Sequence, residues 1–412
     1  MDKIREIMNS DDMGLDVKKI REDFPILSRP INNKPIIYFD NACQTLRPIQ
    51  VINKMNEYYN EYPACVGRSN HKFGERATNE VNEARRRIAK FFNAKENEIV
   101  FTRNTTEGIN FISYAFRFKE GDTVLLSDKE HNSNLIPWQM LKRKGVKIKF
   151  FRFNDLDDFE SKLDKSVKLV STVHTSNVDG TTQDIEKITR IAHDNKSFVL
   201  IDAAQSAPHK QIDVRKLNAD AVSCSGHKML GPSGTGILYL SERMLDSIDV
   251  FMTGGETVIN STYESVEFEK VPNRFEAGLQ NYSGIIGLGE AAEYLRRIGL
   301  KNIEEHEKRL NKIITEGLQD HIGKKIQLLG PVQPELRSGI FSFNINGMKY
   351  HQVSLLLDKT ENIMIRSGQH CVHSWFNANK IDGSARASLY LYNTEEEAKK
   401  FVEAVNKLCT FV

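Results

Sequence analysis

Between Ile99 and Leu240 the apolar residues fall into short runs bounded by polar residues or glycine. These are Ile99–Thr102, Thr123–Leu126, Lys147–Phe151, Val167–Val173, Phe198–Ile201, Ala221–Ser223 and Gly236–Leu240. Each has the length of a buried strand and most are rich in β-branched residues. Between most of them the apolar positions recur at helical spacing, as in Gly108–Phe118 and Asp184–Asp194. Strands alternating with helices predict an α/β fold with a mostly parallel, doubly wound sheet. Ligands of such sheets sit at the carboxyl ends of the strands.

The flanks read differently. Residues 1–34 predict an arm with one or two short helices that packs with a C-terminal domain. A short strand, Ile36–Phe39, leads into Asp40-Asn41-Ala42, and helices are predicted over Gln50–Tyr62 and Ala77–Asn93. Residues 241–283 are irregular and glycine-punctuated. Helices over Gly284–Ile298 and Asn302–Gln319 come next. They are followed by strands Ile326–Leu329 and Gly339–Ile345, helix His351–Leu357, and strands Ile363–Arg366 and Arg386–Leu391. The last helix opens on a capping box, Thr394 with Glu397. The pattern divides the chain into the arm, a large domain over 35–289 and a smaller α+β domain over 290–412.

Composition narrows the function. The 412 residues are 40% hydrophobic and 27% charged, and 57 basic side chains against 55 acidic ones give a net charge of +2. Neither a nucleic acid nor an anionic membrane is an expected partner. No apolar stretch approaches a membrane span, and Met1–Asp16 has no signal-peptide core. Cys43, Cys65, Cys224, Cys371 and Cys409 are odd in number and scattered, without metal-ligand spacing. A cytoplasmic, reduced protein without a metal is expected, with room for a working thiol among inert ones.

Candidate chemistry gathers at the strand ends. Phe198–Ile201 runs into Asp202-Ala203-Ala204-Gln205, and Ala221–Ser223 runs into Ser225-Gly226-His227-Lys228. A carboxylate ending one strand and a lysine after the next suit a pyridoxal phosphate (PLP) enzyme. The amine forms a Schiff base, and the carboxylate keeps the pyridine nitrogen protonated. Thr105 and Thr106 lie before a helix, where hydroxyls and free N–H groups bind phosphate, though such residues also cap helices for structural reasons. Ser225 and His227 add donors to the same phosphate. His131 can stack on the cofactor ring and carry protons. Asn177 and Gln205 can contact its phenolic oxygen, although a loop asparagine also supports turns. Arg386 opens a strand and can grip a substrate carboxylate. Cys371, in Arg366-Ser367-Gly368-Gln369-His370-Cys371, is either a thiolate nucleophile on a turn or a structural cysteine.

Taken in order, four segments resemble the class V aminotransferase family. They are Asp202–His209, Ser225–Pro232, Phe275-Glu276-Ala277-Gly278 and Ala385-Arg386-Ala387-Ser388. Within that family the chain is similar to the group II, Suf-type cysteine desulfurases and their selenocysteine lyase relatives. The resemblance runs from about Tyr38 to the C-terminus. It implies the fold type I PLP architecture and a homodimer with its site at the subunit interface. It also implies conversion of L-cysteine to L-alanine with a persulfide on Cys371, feeding iron–sulfur cluster or related biosynthesis through an acceptor or scaffold protein. L-selenocysteine is an alternative substrate, another class V lyase or epimerase an alternative activity, and a catalytically silent scaffold a third reading. By position, Lys228, Cys371 and His131 are implied as catalytic. Thr105, Thr106, Asn177, Asp202, Gln205, Ser225 and His227 are implied as cofactor contacts, and Asn41, Ala42, Arg366 and Arg386 as substrate contacts. The chain departs from the family at Cys43-Gln44, at Val66-Gly67-Arg68-Ser69, at Leu279 and at Val372-His373-Ser374-Trp375. Leu279 replaces a threonine that reaches the partner's phosphate, and its side chain has no donor.

Overall fold

The computed structural model describes residues 15–412, so whatever was expected of the first fourteen lies outside the described residues. After a two-residue strand, β1 (Ile37–Tyr38), the chain builds one large sheet. Its strands are β2 (Ile99–Thr102), β3 (Thr123–Ser127), β4 (Lys147–Phe151), β5 (Val167–Val173), β6 (Phe198–Asp202), β7 (Ala221–Ser225) and β8 (Gly236–Leu240). Their order is β2-β8-β7-β6-β5-β3-β4. β8 runs antiparallel to both neighbours, and the β7-β6-β5-β3-β4 pairings are parallel. β7 and β8 are buried at every position, as strands inside a sheet covered on both faces are, with Ser223 and Ser225 the polar residues among them.

Helices cover both faces. Ile49–Glu61, Lys72–Phe92 and Tyr282–Ile298 pack together over one side through Val51, Val81, Ile88, Ile285 and Leu295. Thr105–Ala115 lies on the other, burying Ile109, Phe111 and Ile112. Residues 241–283 are less irregular than expected: β9 (Val258–Ser261) and β10 (Val266–Phe268) form an exposed antiparallel hairpin.

The second sheet holds β11 (Ile326–Leu329), β12 (Ile340–Ile345), β14 (Arg366–Gly368) and β15 (Ser384–Ser388), in the antiparallel order β11-β12-β15-β14. Phe341, Phe343, Leu310, Ile314 and Phe401 form its core with the helices Leu300–Gly317 and Glu395–Cys409. β13 (Ile363–Met364) pairs in parallel with β1, and Ile37 and Phe39 lie in this second core. The strand placed in the large domain on sequence grounds is therefore stitched to the small one. The division near residue 290 falls inside the continuous helix Tyr282–Ile298.

The described part of the arm bridges both units. Arg21 reaches Glu397 at 2.8 Å and donates to the Tyr392 carbonyl. Asp23 accepts from Gln50 and Tyr294, and Phe24 packs on Tyr294 and Tyr392.

Candidate active site

The carboxyl ends of β6 and β7 open on one cavity of about 240 Å³. β7 ends at Ser225 and turns at once through Gly226–Lys228. Gly226 is required there, because a Cβ would stand 2.2 Å from Thr235 Oγ1. Lys228 and Asp202 both line the cavity. Burial pushes the Lys228 ammonium below the ordinary lysine range, and the Asp202 charge opposes that shift. Burial raises Asp202 in turn, against the Ala204 N–H, which donates to Oδ1 at 2.9 Å, and against Lys228.

At one end of the cavity the helix begins at Thr105, three residues earlier than its apolar pattern suggested, because Asn104 caps it by accepting from the Glu107 N–H. Thr105 and Thr106 thus occupy the first turn, at the positive end of the helix dipole. The helix comes this close to β7 because Gly108 has no Cβ; one would meet Ser223 Oγ at 2.2 Å. Ser225 Oγ accepts from the Thr105 N–H at 2.9 Å, and the Thr106 and Ser133 hydroxyls are 2.7 Å apart. His227 also lines the cavity, and burial lowers its pKa to about 4.

His131 accepts the Ser133 N–H on Nδ1, so the neutral ring carries its proton on Nε2. Burial first, then Lys228, Arg386 and His373, push it down to about 3. Gln205 is 3% exposed, and its Oε1 has no partner. Asn177 lines the cavity and also braces the nucleophile's turn. One N–H of its amide nitrogen donates to the His370 carbonyl at 2.8 Å, so the second N–H and the amide oxygen remain for a cofactor.

Arg386, also 3% exposed, donates from NH1 to the Asn177 carbonyl at 2.8 Å and faces Asp40 at 3.8 Å, while its Nε has no partner. Arg366 donates to Cys43 Sγ at 3.2 Å and lies 3.9 Å from Asp40. Cys371 is exposed and sits behind β14 on two consecutive left-handed residues, His370 at φ +50° and Cys371 at φ +59°. Neither is glycine, which marks a strained turn held by its surroundings. The Asn132 N–H donates to the Cys371 carbonyl at 2.7 Å, and His370 Nε2 lies 2.8 Å from Ser384 Oγ. Beyond the turn, the short helix His373–Ala378 carries Trp375, with the Lys129 ammonium 4.9 Å from its ring.

Ala42 lines the cavity, but Asn41 does not. Asn41 is buried, and its amide donates to the Ser388 and Tyr38 carbonyls and to Asn393. It fixes β15 to the segment after β1, and with the Tyr392 hydroxyl on its oxygen the buried side chain is spent on the fold. Asp40, His370 and Glu130 were given no role in advance, and Cys43 was noted only among the scattered cysteines and as a departure from the family. Glu130 is buried and accepts from Ser127, Asn134, Thr172 and the Val173 N–H, bracing the loop that carries His131. Its carboxyl is raised to about 8, chiefly by burial. Among the described residues no group of three His, Cys, Asp or Glu side chains is placed to hold a metal ion.

The aminotransferase class-V family model matches residues 37–401. The chain belongs to that family. It is 38% identical to a probable cysteine desulfurase of Methanothermobacter thermautotrophicus over 94% of this chain and 97% of that one. It is 34% identical to a cysteine desulfurase of Haloferax volcanii over 95% and 96%. Among solved structures, a cysteine desulfurase of Thermococcus onnurineus superposes with a TM-score of 0.91 at 37% identity, covering 96% of this chain and 98% of that one. The chain is therefore a cysteine desulfurase-family member of the class V group, with the fold type I architecture. PLP, the cofactor of that fold, fits this donor set. The orphaned Gln205 Oε1, the buried Asp202 carboxylate and the threonine-bearing helix start all line one cavity.

Proposed function

We propose that this chain is a PLP-dependent cysteine desulfurase that converts L-cysteine to L-alanine and holds the sulfur as a persulfide on Cys371. One observation carries the reading: Lys228, Asp202, Arg386 and Cys371 line a single cavity. Lys228 would hold the cofactor and Asp202 its ring nitrogen. Thr105, Thr106, Ser225 and His227 would hold its phosphate, and His131 its ring face. Bound PLP supplies an electron sink for bonds around the substrate α-carbon. Arg386, with a free Nε beside its NH1, grips the substrate carboxylate, and Arg366 flanks it. Lys228, held below the ordinary lysine range, moves the proton at Cα. The Cys371 sulfur attacks the substrate sulfur, the substrate's C–S bond breaks, and its carbon takes a proton. Cysteine plus thiol gives alanine plus persulfide, with no external oxidant.

The exposure of Cys371 supports delivery of its sulfur to an acceptor or scaffold protein for iron–sulfur cluster or related synthesis. Exposed Tyr59, Phe73, Tyr263 and Leu279 support a homodimer. A reducing cytoplasmic setting is part of the proposal, because persulfide chemistry needs a free thiol and the cysteines are unpaired. The test uses purified protein with its PLP absorbance recorded, L-cysteine as substrate, and alanine and sulfide as products. Alanine formation lost in Cys371→Ala is expected. A protein without PLP absorbance, or a Cys371→Ala variant that still desulfurates, overturns the reading. The same assay with L-selenocysteine measures substrate preference.

A further inference from the structure

The cavity holds two thiols. Cys43 lines it together with Cys371, where the chain has cysteine after Asp40-Asn41-Ala42. Cys43 is free and half-buried, and its sulfur accepts a hydrogen bond from Arg366 NH1 at 3.2 Å. Arg366 opens β14, the strand that ends just before the Cys371 turn, so one short segment contacts the first thiol and carries the second. Asp40 lies between Arg366 and Arg386, at 3.9 and 3.8 Å, which places Cys43 beside the arginine pair. Arg386 Nε, buried and unpartnered in the same cavity, shows that a ligand group is taken here. Both thiols lie close enough to Lys228 and Arg386 to act on their charges.

We propose that Cys43 is a second sulfur-carrying thiol, receiving sulfane sulfur from the Cys371 persulfide. The proposal rests on the desulfurase reading above. The Cys43 thiolate attacks the outer sulfur of the Cys371 persulfide. A bond forms between Cys43 Sγ and that sulfur, and the bond to Cys371 Sγ breaks. Cys371 leaves as a thiolate and takes the proton that Cys43 gave up. Thiol and persulfide exchange places, so no oxidant or reductant is consumed. The guanidinium N–H of Arg366 is a donor the attacking sulfur anion can keep through the step. Cys371 is then free for a second cysteine, and each site stores two sulfur atoms.

The experiment gives the PLP-loaded enzyme L-cysteine without acceptor or reductant. It counts alanine per site in the first burst and maps persulfides by alkylation and peptide mass spectrometry. The wild type is expected to release about two alanines per site, with sulfane sulfur on both cysteines. Cys43→Ala and Cys43→Ser are expected to stop at about one, with sulfur on Cys371 alone. The serine variant keeps an acceptor for Arg366, so its recovery of two alanines would assign Cys43 a structural role and overturn the relay. A wild-type burst of one, with every sulfane sulfur on Cys371, overturns the relay and leaves the desulfurase reading standing. Sulfane sulfur on Cys43 in Cys371→Ser overturns it as well, because the sulfur would come directly from substrate. No alanine from any variant, wild type included, removes both readings.

Discussion

Asn177→Ala tests how the Cys371 turn is held. Two consecutive non-glycine residues in the left-handed region cost about 1–2 kcal/mol each, so His370 and Cys371 together store roughly 2–4 kcal/mol. Against that stand the Asn177 amide on the His370 carbonyl, the Asn132 N–H on the Cys371 carbonyl, the His370–Ser384 contact and the Val372 N–H on the Gln369 carbonyl. At about 0.5–1.5 kcal/mol each these offset the strain with little left over. Removing the Asn177 amide leaves the His370 carbonyl without that donor, a loss of about 1–3 kcal/mol. Since about 1.4 kcal/mol is tenfold in a population, the competent turn becomes a minor state. Alanine formation under single-turnover conditions is expected to fall about tenfold or more. PLP absorbance should be retained and alkylation of Cys371 should quicken. Alanine formation within about twofold of wild type, with alkylation unchanged, would refute the reasoning, since a tenfold shift is what that energy predicts. Loss of PLP instead would place the residue's work at the cofactor.

Gly108→Ala should weaken PLP binding about tenfold or more, because the Cβ drives the Thr105–Ala115 helix from Ser223 and shifts the phosphate end; fluorescence titration of apoprotein with PLP measures it. Glu276→Gln should cost about 3–5 kcal/mol in a urea titration, because Arg85 is buried and holds both carboxylate oxygens, at 2.9 and 2.8 Å. Replacing both partners with leucine and methionine should recover only part of that loss, because the buried Ile99 carbonyl and Phe101 N–H lose their partners too. Stability should fall as pH drops from 6.5 toward about 4. His131, His174 and His306 are buried with folded pKa values of about 3, 4 and 4, so at these three sites the unfolded chain binds more protons across that window, against the opposing contribution of Glu130, raised to about 8. A urea midpoint unchanged between pH 7 and 5 would contradict this.

What the sequence made legible follows from range. β8 announces itself because a strand covered on both faces is a continuous apolar run, whereas β5 and β7 mix small hydroxyl residues into theirs and β5 exposes Lys168. Lys228 and Asp202 were legible because Asp202 is the last residue of its strand and Lys228 closes the three-residue turn after the next, so the strand end fixes where each stands. The first turn of the phosphate-side helix was not, because Thr105 and Thr106 are polar and β-branched and their helical state depends on Asn104. The allegiance of β1 was illegible for another reason: its partner is β13, far along the chain, and two residues carry no periodicity. Asn41 shows the limit of motif transfer. A motif position says which residue type is wanted, but the asparagine's bonds to β15 and Asn393 are set by tertiary placement.

Those long-range contacts also join the substrate grip to the nucleophile. Arg386 donates to the Asn177 backbone carbonyl, and the Asn177 side chain donates to the His370 carbonyl, one residue before Cys371. One residue therefore lies between the group that binds a carboxylate and the turn that carries the attacking sulfur. A substrate carboxylate that draws Arg386 forward pulls on Asn177, and the strained turn has little restraint in reserve. A cysteine analogue lacking the carboxylate should thus lose more than binding. Its turnover should fall even at saturation, because the turn would not be set, as expected when remote binding energy is used to organise the reacting groups. If cysteamine, at saturating concentration and with the PLP spectrum showing it bound, transferred sulfur to Cys371 as fast as cysteine does, the coupling through Asn177 would be absent and Arg386 would act on affinity alone.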